Sequence, residues 1–557
     1  MAPTEVVAPD GPFSWQHISD ARRLYLMAVW DETPHMLAMA LLPLAVVFLA
    51  LAIQKGTLFR YAGAVATIVA MTLASTFGPI EAAMVSIFLL RVADQRWIKH
   101  KIMLIGTLGI CAYAMSAFSL PPSLISAVHA ASVHGERQAW SLASLTALAI
   151  AVFGWIVLWQ SLRKWSQNRW FQFTVLFAYM ASYPPLIETY FHRELLPQPD
   201  RYKIEMEAGL ALVAVFGLWP LVRKLPRSIG FGLLFLLLSL GAERVVSLRR
   251  FAKAILSSVD IKQTIEYRAA VWTQENLRGV RVMMPGSIAQ WTNAFTDVQQ
   301  FSGSSWSMAY NPVQQKALDN IYASTGVRSI DASRSIQWVK AYGVGAICVS
   351  GKGSPEFWKP FQAPARFDGV LPVLWQVQDT TIYRIPQRST SLAHVIPEGA
   401  IIDHLSPGLT GGRKLDLYAA ALNDPSLPMA DFEWKDSNHI RIQTMLERQQ
   451  ALSVQVSYHP GWHARDRNQP VEVRRDGLGL IWLQPKRVGR CELELEYDGG
   501  SELRICRLVS AVSAVAFLLG LPVVLLMRRR RLPGLARTAA TVSEFRGGGH
   551  TVPPVLR

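Results

Sequence analysis

The densest group of side chains able to do chemistry lies at 185–207, where Glu188, His192, Arg193, Glu194, Asp200, Arg201, Lys203, Glu205 and Glu207 run directly into an apolar stretch. Closely spaced carboxylates can exchange protons with a reacting hydroxyl, and a divalent cation is compatible with such acids. Arg193, Arg201 or Lys203 could hold a phosphate, and His192 offers further acid–base capacity. A helix starting near Pro199 puts Tyr202, Met206 and Leu210 on one stripe, with Arg201–Glu205 and Lys203–Glu207 as neighbouring pairs four residues apart. Two readings follow. In one, local ion pairs and first-turn acids make an interfacial anchor, with Tyr202 as its aromatic member. In the other, Glu205 and Glu207 face a water-filled cavity at the membrane edge. The anchor is the more economical reading, because charges at a helix end cost less than charges at the bilayer midplane.

Three other stretches carry polar chemistry. "AVWDETPHMLAMALL" (28–42) has Asp31 and Glu32 just before the first apolar run. "IAQWTNAFTDVQQFSG" (288–303) offers Trp291, Asn293, Asp297 and Gln300, a mixture suited to stacking on a sugar and bonding its hydroxyls, or simply to packing a loop on its own domain. "YHPGWHARDRNQPVEVRRDGLGLIWL" (458–483) contains His459 and His463, but the Pro-Gly between them breaks any helix that would align two zinc ligands. No phosphate loop, nucleophile elbow or H-E-x-x-H motif is present, and no metal-ligand set is assigned from spacing.

The elements that must position these residues are membrane helices. The chain has 557 residues, 51% hydrophobic and 17% charged, with a net charge of +16. Its apolar residues cluster into runs at 36–53, 61–79, 102–119, 139–159, 169–184, 206–222, 228–244 and 507–527, most of them near the length of a bilayer core. "PIEAAMVSIFLLRV" (79–92) is either a re-entrant helix or a ninth span. The basic residues flank these runs, so the positive charge points to cytoplasmic loops and not to nucleic acid. Placing 91–101, 161–169, 222–227 and 527–537 inside puts 185–205 and 245–505 outside, in a bacterial inner membrane with the C-terminus cytoplasmic. If 79–92 spans, the N-terminus is outside; if it does not, the N-terminus is inside. Charged residues deep in spans, as a transporter would need, are few: Glu81, and Glu243 at a span end.

The expected fold is therefore a polytopic α-helical membrane protein of about eight or nine spans. An extracytoplasmic α/β domain and a β-sandwich precede the last span. The expected boundaries are an N-terminal segment 1–35, a helical domain 36–244, the α/β domain 245–395, the sandwich 396–505, a final helix 506–531 and a disordered cytoplasmic tail 532–557. The reading of 245–505 rests on local pattern. "SIQWVKAYGVGAICVSG" (335–351) predicts helix, glycine turn and buried strand, and "VLPVLWQVQDTTIYRIP" (370–386) predicts two strands with a tight turn. Alternation at Leu452, Val454, Val456 and at Leu493, Leu495, Tyr497 predicts strands of a sandwich. Of the cysteines, Cys111, Cys348, Cys491 and Cys506, only Cys348 and Cys491 are placed for a disulfide, and four thiols is the simpler expectation. The N-terminus has no basic segment leading into an apolar core, so no cleavable signal peptide is expected.

"PQPDRYKIEMEAGLAL", "RVMMPGSIAQWTNAFTDVQQFSG", "WVKAYGVGAICVSG" and "FDGVLPVLWQVQDTTIYRIPQRSTSLAHVI" resemble bacterial multi-span membrane proteins described as 6-pyruvoyl-tetrahydropterin synthase-related. The 458–483 stretch resembles the β-domain of a neighbouring group that glycosylates envelope polymers. Both groups are similar to GT-C glycosyltransferases, and nothing in the sequence is similar to a soluble pterin enzyme. The resemblance implies a membrane glycosyltransferase, or a subunit of one, using a polyprenyl-phosphate sugar and an envelope polysaccharide or lipid acceptor. The alternative is a non-catalytic scaffold whose outer domains bind glycan or protein. One departure stands out: GT-C enzymes carry catalytic acids in the first outer loop, whereas "QKGTLFR" (54–60) has none. The chain thus looks like the later part of such a protein: a shortened member, the partner of a separately encoded N-terminal half, or the product of a misassigned start, with membrane lipid as a partner in each case.

Overall fold

The computed structural model describes residues 33–92, 97–126, 142–165, 168–191, 199–255, 258–301, 311–323, 332–405, 412–485, 488–520 and 522. The chain divides into two compact units, one made of 1–122, 133–256 and 505–557, the other of 123–132 and 257–504.

The first unit is helical. Its described helices include α1 (Thr33–Lys55), α2 (Leu58–Ala74), α3 (Gly78–Val92), α4 (Ile98–Ser116), α5 (Leu142–Trp165), α6 (Arg169–Phe191), α7 (Lys203–Val222) and α8 (Arg227–Ile255). Six helical stretches among the described residues are long and apolar enough to cross a membrane: Thr33–Lys55, Ile98–Ser116, Leu145–Lys164, Lys203–Val222, Arg227–Val246 and Gly500–Gly520. The chain is a multi-pass membrane protein with a second, β-rich unit. Pro34 and Pro79 sit in the first turns of α1 and α3, where the missing N–H costs nothing. Phe153, Ile156, Phe231, Phe235 and Leu237 are exposed, as lipid-facing side chains are.

The core of this unit is built by α1, α2, α3, α4 and α6, with Leu49, Met71, Val85, Phe88, Leu89 and Leu176 all nearly inaccessible. α1 packs on α2 and α3, α3 on α6, and α6 on α7. At two glycines the helices come close to neighbouring backbone. A Cβ on Gly209 of α7 would lie 2.7 Å from the Ala178 Cα of α6, and one on Gly78 would lie 2.3 Å from the Met71 carbonyl oxygen. Both contacts demand a residue without a side chain.

The second unit contains α9 (Ile265–Asn276), β1 (Arg281–Met283), α10 (Gly286–Phe295), α11 (Pro312–Ala323), α12 (Ser333–Ala341) and β2 (Val344–Ser350). These are followed by β3 (Val373–Val377) and β4 (Thr380–Arg384). The four strands form one mixed sheet, ordered β1-β2-β4-β3, with β1 and β2 parallel and the other pairs antiparallel. Every residue of β2 is buried, as its unbroken small and apolar run requires, and Gly343 makes the preceding turn at φ +70°.

Then come β5 (Ala393–Pro397), α13 (Gly412–Leu422), β6 (Ala430–Trp434), β7 (His439–Leu446), β8 (Gln450–Ser457), β9 (Trp462–Asp466) and β10 (Gln469–Val471). The last strands are β11 (Val473–Arg475), β12 (Leu480–Leu483) and β13 (Gly489–Tyr497). They build two antiparallel sheets, β11-β12-β8-β5 and β10-β9-β13-β7-β6. Leu452, Val454, Ile481 and Leu483 from one sheet share a core with Ile440, Ile442, Leu493 and Leu495 from the other, the arrangement of a sandwich.

β8 departs from the expected alternation, because 451–455 are buried on both faces. Its second face is covered by helices. Ser453 bonds the Tyr418 hydroxyl at 2.6 Å, and the Gln455 amide donates to the carbonyls of Lys340 and Ala341. These partners satisfy polar groups that would otherwise be costly to bury. None of the four cysteines forms a disulfide. The predicted tail, 532–557, lies outside the described residues.

Candidate site at three helix ends

The first turns of α1, α3 and α7 meet, and each contributes one titratable side chain: His35, Glu81 and Glu205. His35 Nε2 lies 2.6 Å from Glu205 Oε1 and 3.2 Å from Glu81 Oε1, and the three side chains are at most 1% exposed. The local sequence explains the convergence. Gly78 lets the end of α2 turn tightly into α3, and the Glu81 N–H donates to the Phe77 carbonyl as the helix opens. Gly209 lets α7 lie against α6 and so seats the Glu205 turn.

Phe77 organises the surroundings. Its ring stacks on His35 at 4.9 Å, meets Tyr202 edge-on at 5.6 Å and carries the Arg201 guanidinium 5.4 Å from its centroid. An arginine over an aromatic face gains electrostatic attraction from the ring quadrupole.

The electrostatics pull two ways at this point: burial opposes charge on two neighbouring carboxylates, while the helix ends favour it. Each helix N-terminus presents unpaired N–H groups and the positive end of its dipole, so three such ends favour negative charge between them. Yet one imidazole nitrogen cannot satisfy two carboxylates. Among the described residues, both oxygens of Glu81, Oε2 of Glu205 and the hydroxyl of Tyr202 are buried without a hydrogen-bond partner. Unsatisfied buried oxygens of this kind call for a proton, a water or a cation. The arrangement can pass a proton between His35 and Glu205. Its three ligand atoms also lie within 4.8 Å of one another, close enough for one metal ion.

The sequence candidates separate clearly. Glu205 is fully buried and bonds His35, 170 residues away in the chain, so the local Arg201–Glu205 pair gives way to a long-range contact. Tyr202 is not an interfacial anchor: it is fully buried in the helical core. Of the expected stripe, Met206 is buried and Leu210 is exposed. Lys203 is buried, and Glu207 and Glu188 are half-buried. Asp200 falls in the short 3-10 turn Pro199–Tyr202. His192, Arg193, Glu194, Asp31 and Glu32 lie outside the described residues.

Trp291, Asn293, Asp297 and Gln300 belong to the second unit. The Asn293 amide donates to the carbonyls of Thr296 and Val298, and the Gln300 amide donates to Ala289 and to the Asn293 side chain. These two amides bond within their own loop, as the loop-packing alternative expects. Trp291 is exposed and stacks on Phe295. His463 contacts Asp498 at 3.0 Å on the sandwich.

Sequence reasoning missed His35 and saw Glu81 only as an isolated charge in an apolar run. A signal was present: in "TPH" and "GPIE" a titratable residue follows a helix-starting proline within the first turn.

No protein-family model matches the chain, and no curated protein matches it. Among solved structures, the chain is similar to cryo-EM structures of the arabinofuranosyltransferase AftD from Mycobacteria. For one class of a point mutant of that protein the identity is 11% and the TM-score 0.37, over 84% of this chain and 49% of that one. For another AftD structure the identity is 10% and the TM-score 0.36, over 84% of this chain and 47% of that one. The chain thus spans about half the length of those proteins.

Proposed function

We propose that this chain is a GT-C-like membrane glycosyltransferase, or a subunit of one, moving a sugar from a polyprenyl-phosphate carrier to an envelope polysaccharide or lipid. The observation that carries the reading is the buried His35–Glu205 pair with Glu81 beside it, at helix ends that begin on one face of the helical unit. The sequence resemblance to GT-C proteins supplies the reaction class. Basic residues end the same helices: Lys55 is the last residue of α1, Arg91 falls in the last turn of α3, and Arg223 with Lys224 follows α7. By the charge rule these ends are cytoplasmic, which puts the cluster at the outer face, where polyprenyl-phosphate sugars are used.

In this reading the acceptor hydroxyl oxygen bonds to the anomeric carbon as the bond from that carbon to the carrier phosphate breaks. Glu205 takes the hydroxyl proton, and His35 holds the carboxylate oriented and shares the charge. The leaving phosphate keeps the electron pair of the broken bond, and Arg201, held over the Phe77 ring beside the cluster, is the cation assigned to meet it. Purified protein in lipid, given a polyprenyl-phosphate sugar and an envelope-glycan acceptor, is the direct test: sugar transfer with release of polyprenyl phosphate supports the reading.

The complete enclosure of the cluster favours a second reading, the scaffold, in which His35, Glu81 and Glu205 only lock three helices together. Glycan binding without transfer, with any donor of this class, would support the scaffold.

A further inference from the structure

We infer that His35, Glu81 and Glu205 form a binding site for one divalent cation of the zinc or manganese class. The inference takes the same residues as the transferase reading, but its evidence and its readout are independent of sugar transfer.

The ligand types come first. One imidazole nitrogen with two carboxylates suits zinc, and manganese next, whereas magnesium prefers an all-oxygen shell and holds its waters. The spacing fits. Ligands about 2.0–2.2 Å from one ion stand roughly 2.9–3.4 Å apart in tetrahedral or octahedral arrangements. The two distances from His35 Nε2, 2.6 and 3.2 Å, need shifts of only a few tenths of an ångström. Two carboxylates also neutralise a divalent charge, which lets such an ion sit in a dry interior.

The second, independent argument is what a proton alone leaves undone. A proton between His35 and Glu205 satisfies one carboxylate oxygen. Glu81 Oε1 then has only its 3.2 Å approach to the shared His35 nitrogen, and Glu81 Oε2, Glu205 Oε2 and the Tyr202 hydroxyl remain buried without a hydrogen-bond partner among the described residues. A cation takes lone pairs from both carboxylates at once. The backbone holds the set in place, since Gly78 and Gly209 fix the two acidic turns and Phe77 fixes the imidazole plane.

The test uses the untagged full chain in lipid nanodiscs, stripped with chelator and then equilibrated with Zn²⁺ alone or Mn²⁺ alone. After removal of unbound ion, elemental analysis should give about one ion per chain. Glu81→Gln and Glu205→Gln should weaken apparent affinity roughly tenfold or more, while Glu81→Asp and Glu205→Asp retain part of it. Zn²⁺ should raise the unfolding midpoint of the unmodified chain and leave that of Glu81→Gln unchanged. If the Gln variants do not assemble, Co²⁺ loading of the unmodified chain decides, because ligation by imidazole and carboxylates in a closed site gives a visible ligand-field spectrum. Metal content no higher than in empty nanodiscs, undiminished metal in the Gln variants, or Co²⁺ with the spectrum of the aqueous ion would each overturn the inference. Metal binding without transfer would leave it standing and sink the transferase reading. Transfer by chain shown to bind no metal would do the reverse.

Discussion

Glu205 hydrogen-bonds His35 at 2.6 Å across 170 residues of chain, with both side chains sealed from solvent. The contact joins the first turn of α7 to the first turn of α1, and Glu81 brings in α3. A buried pair of this kind is strongly destabilised when one member is lost, because the other charge keeps its desolvation penalty.

The two members should therefore behave differently. His35→Leu strands two carboxylates and should cost about 3–5 kcal/mol of stability, whereas Glu205→Leu leaves an imidazole that can stay neutral and should cost less. The double variant should be clearly more stable than the sum of the singles predicts, by about 1 kcal/mol or more. Thermal unfolding in detergent reads all three, and strictly additive effects would remove the pairing.

Gly209 fixes where Glu205 sits. Gly209→Val would drive a side chain into Ala178, where a bare Cβ already comes within 2.7 Å of the Cα. The expected penalty is about 1–3 kcal/mol, with α7 displaced from α6. A disulfide-crosslinking pair placed across α6 and α7 should lose efficiency in this variant. Unchanged crosslinking would show that the close approach is not needed.

In the second unit, burial raises the Glu356 carboxyl from 4.5 to about 7 while its Oε1 accepts the Ile288 N–H at the start of α10. A carboxyl raised on folding contributes stability that is full below about pH 4.5 and lost as pH rises through 7. Protection of the 286–295 amides from hydrogen exchange, corrected for intrinsic rate, should fall over that interval. Glu356→Gln keeps an acceptor for Ile288 and should flatten the profile. A profile equally steep in the variant would place the titration elsewhere.

The helix ends make a topological prediction. His35 lies against both Glu81 and Glu205, so the first turns of α1, α3 and α7 lie together, and as membrane spans the three would run in the same direction. Single cysteines at Thr33 and Asp200, in a background lacking the native four, should react with an impermeant reagent from the same side. A cysteine at Lys55 or Lys224 should react from the other.

Much of the helical unit was legible, because apolar runs of bilayer length and their basic flanks follow from composition alone. The strands of the second unit were legible where one face meets solvent, as at Leu493 and Leu495, and were misleading at β8, where Ser453 and Gln455 are buried by covering helices. Glu205 stood out because an acid opens an apolar helix. Its neighbours Arg201 and Lys203 offered local partners, and local spacing says nothing of a histidine 170 residues away. Glu81 was obscured by the shortness of its helix, and His35 by the more conspicuous acids just before it.

The central claim is that the buried carboxylate, not its half-buried neighbour two residues on, performs the chemistry. The direct measurement is the rate of sugar transfer from a polyprenyl-phosphate donor by Glu205→Gln and Glu207→Gln proteins in nanodiscs, each matched to the unmodified chain by unfolding midpoint. The account predicts a loss of roughly a hundredfold or more for Glu205→Gln and less than about threefold for Glu207→Gln. Transfer by Glu205→Gln at the unmodified rate would contradict it.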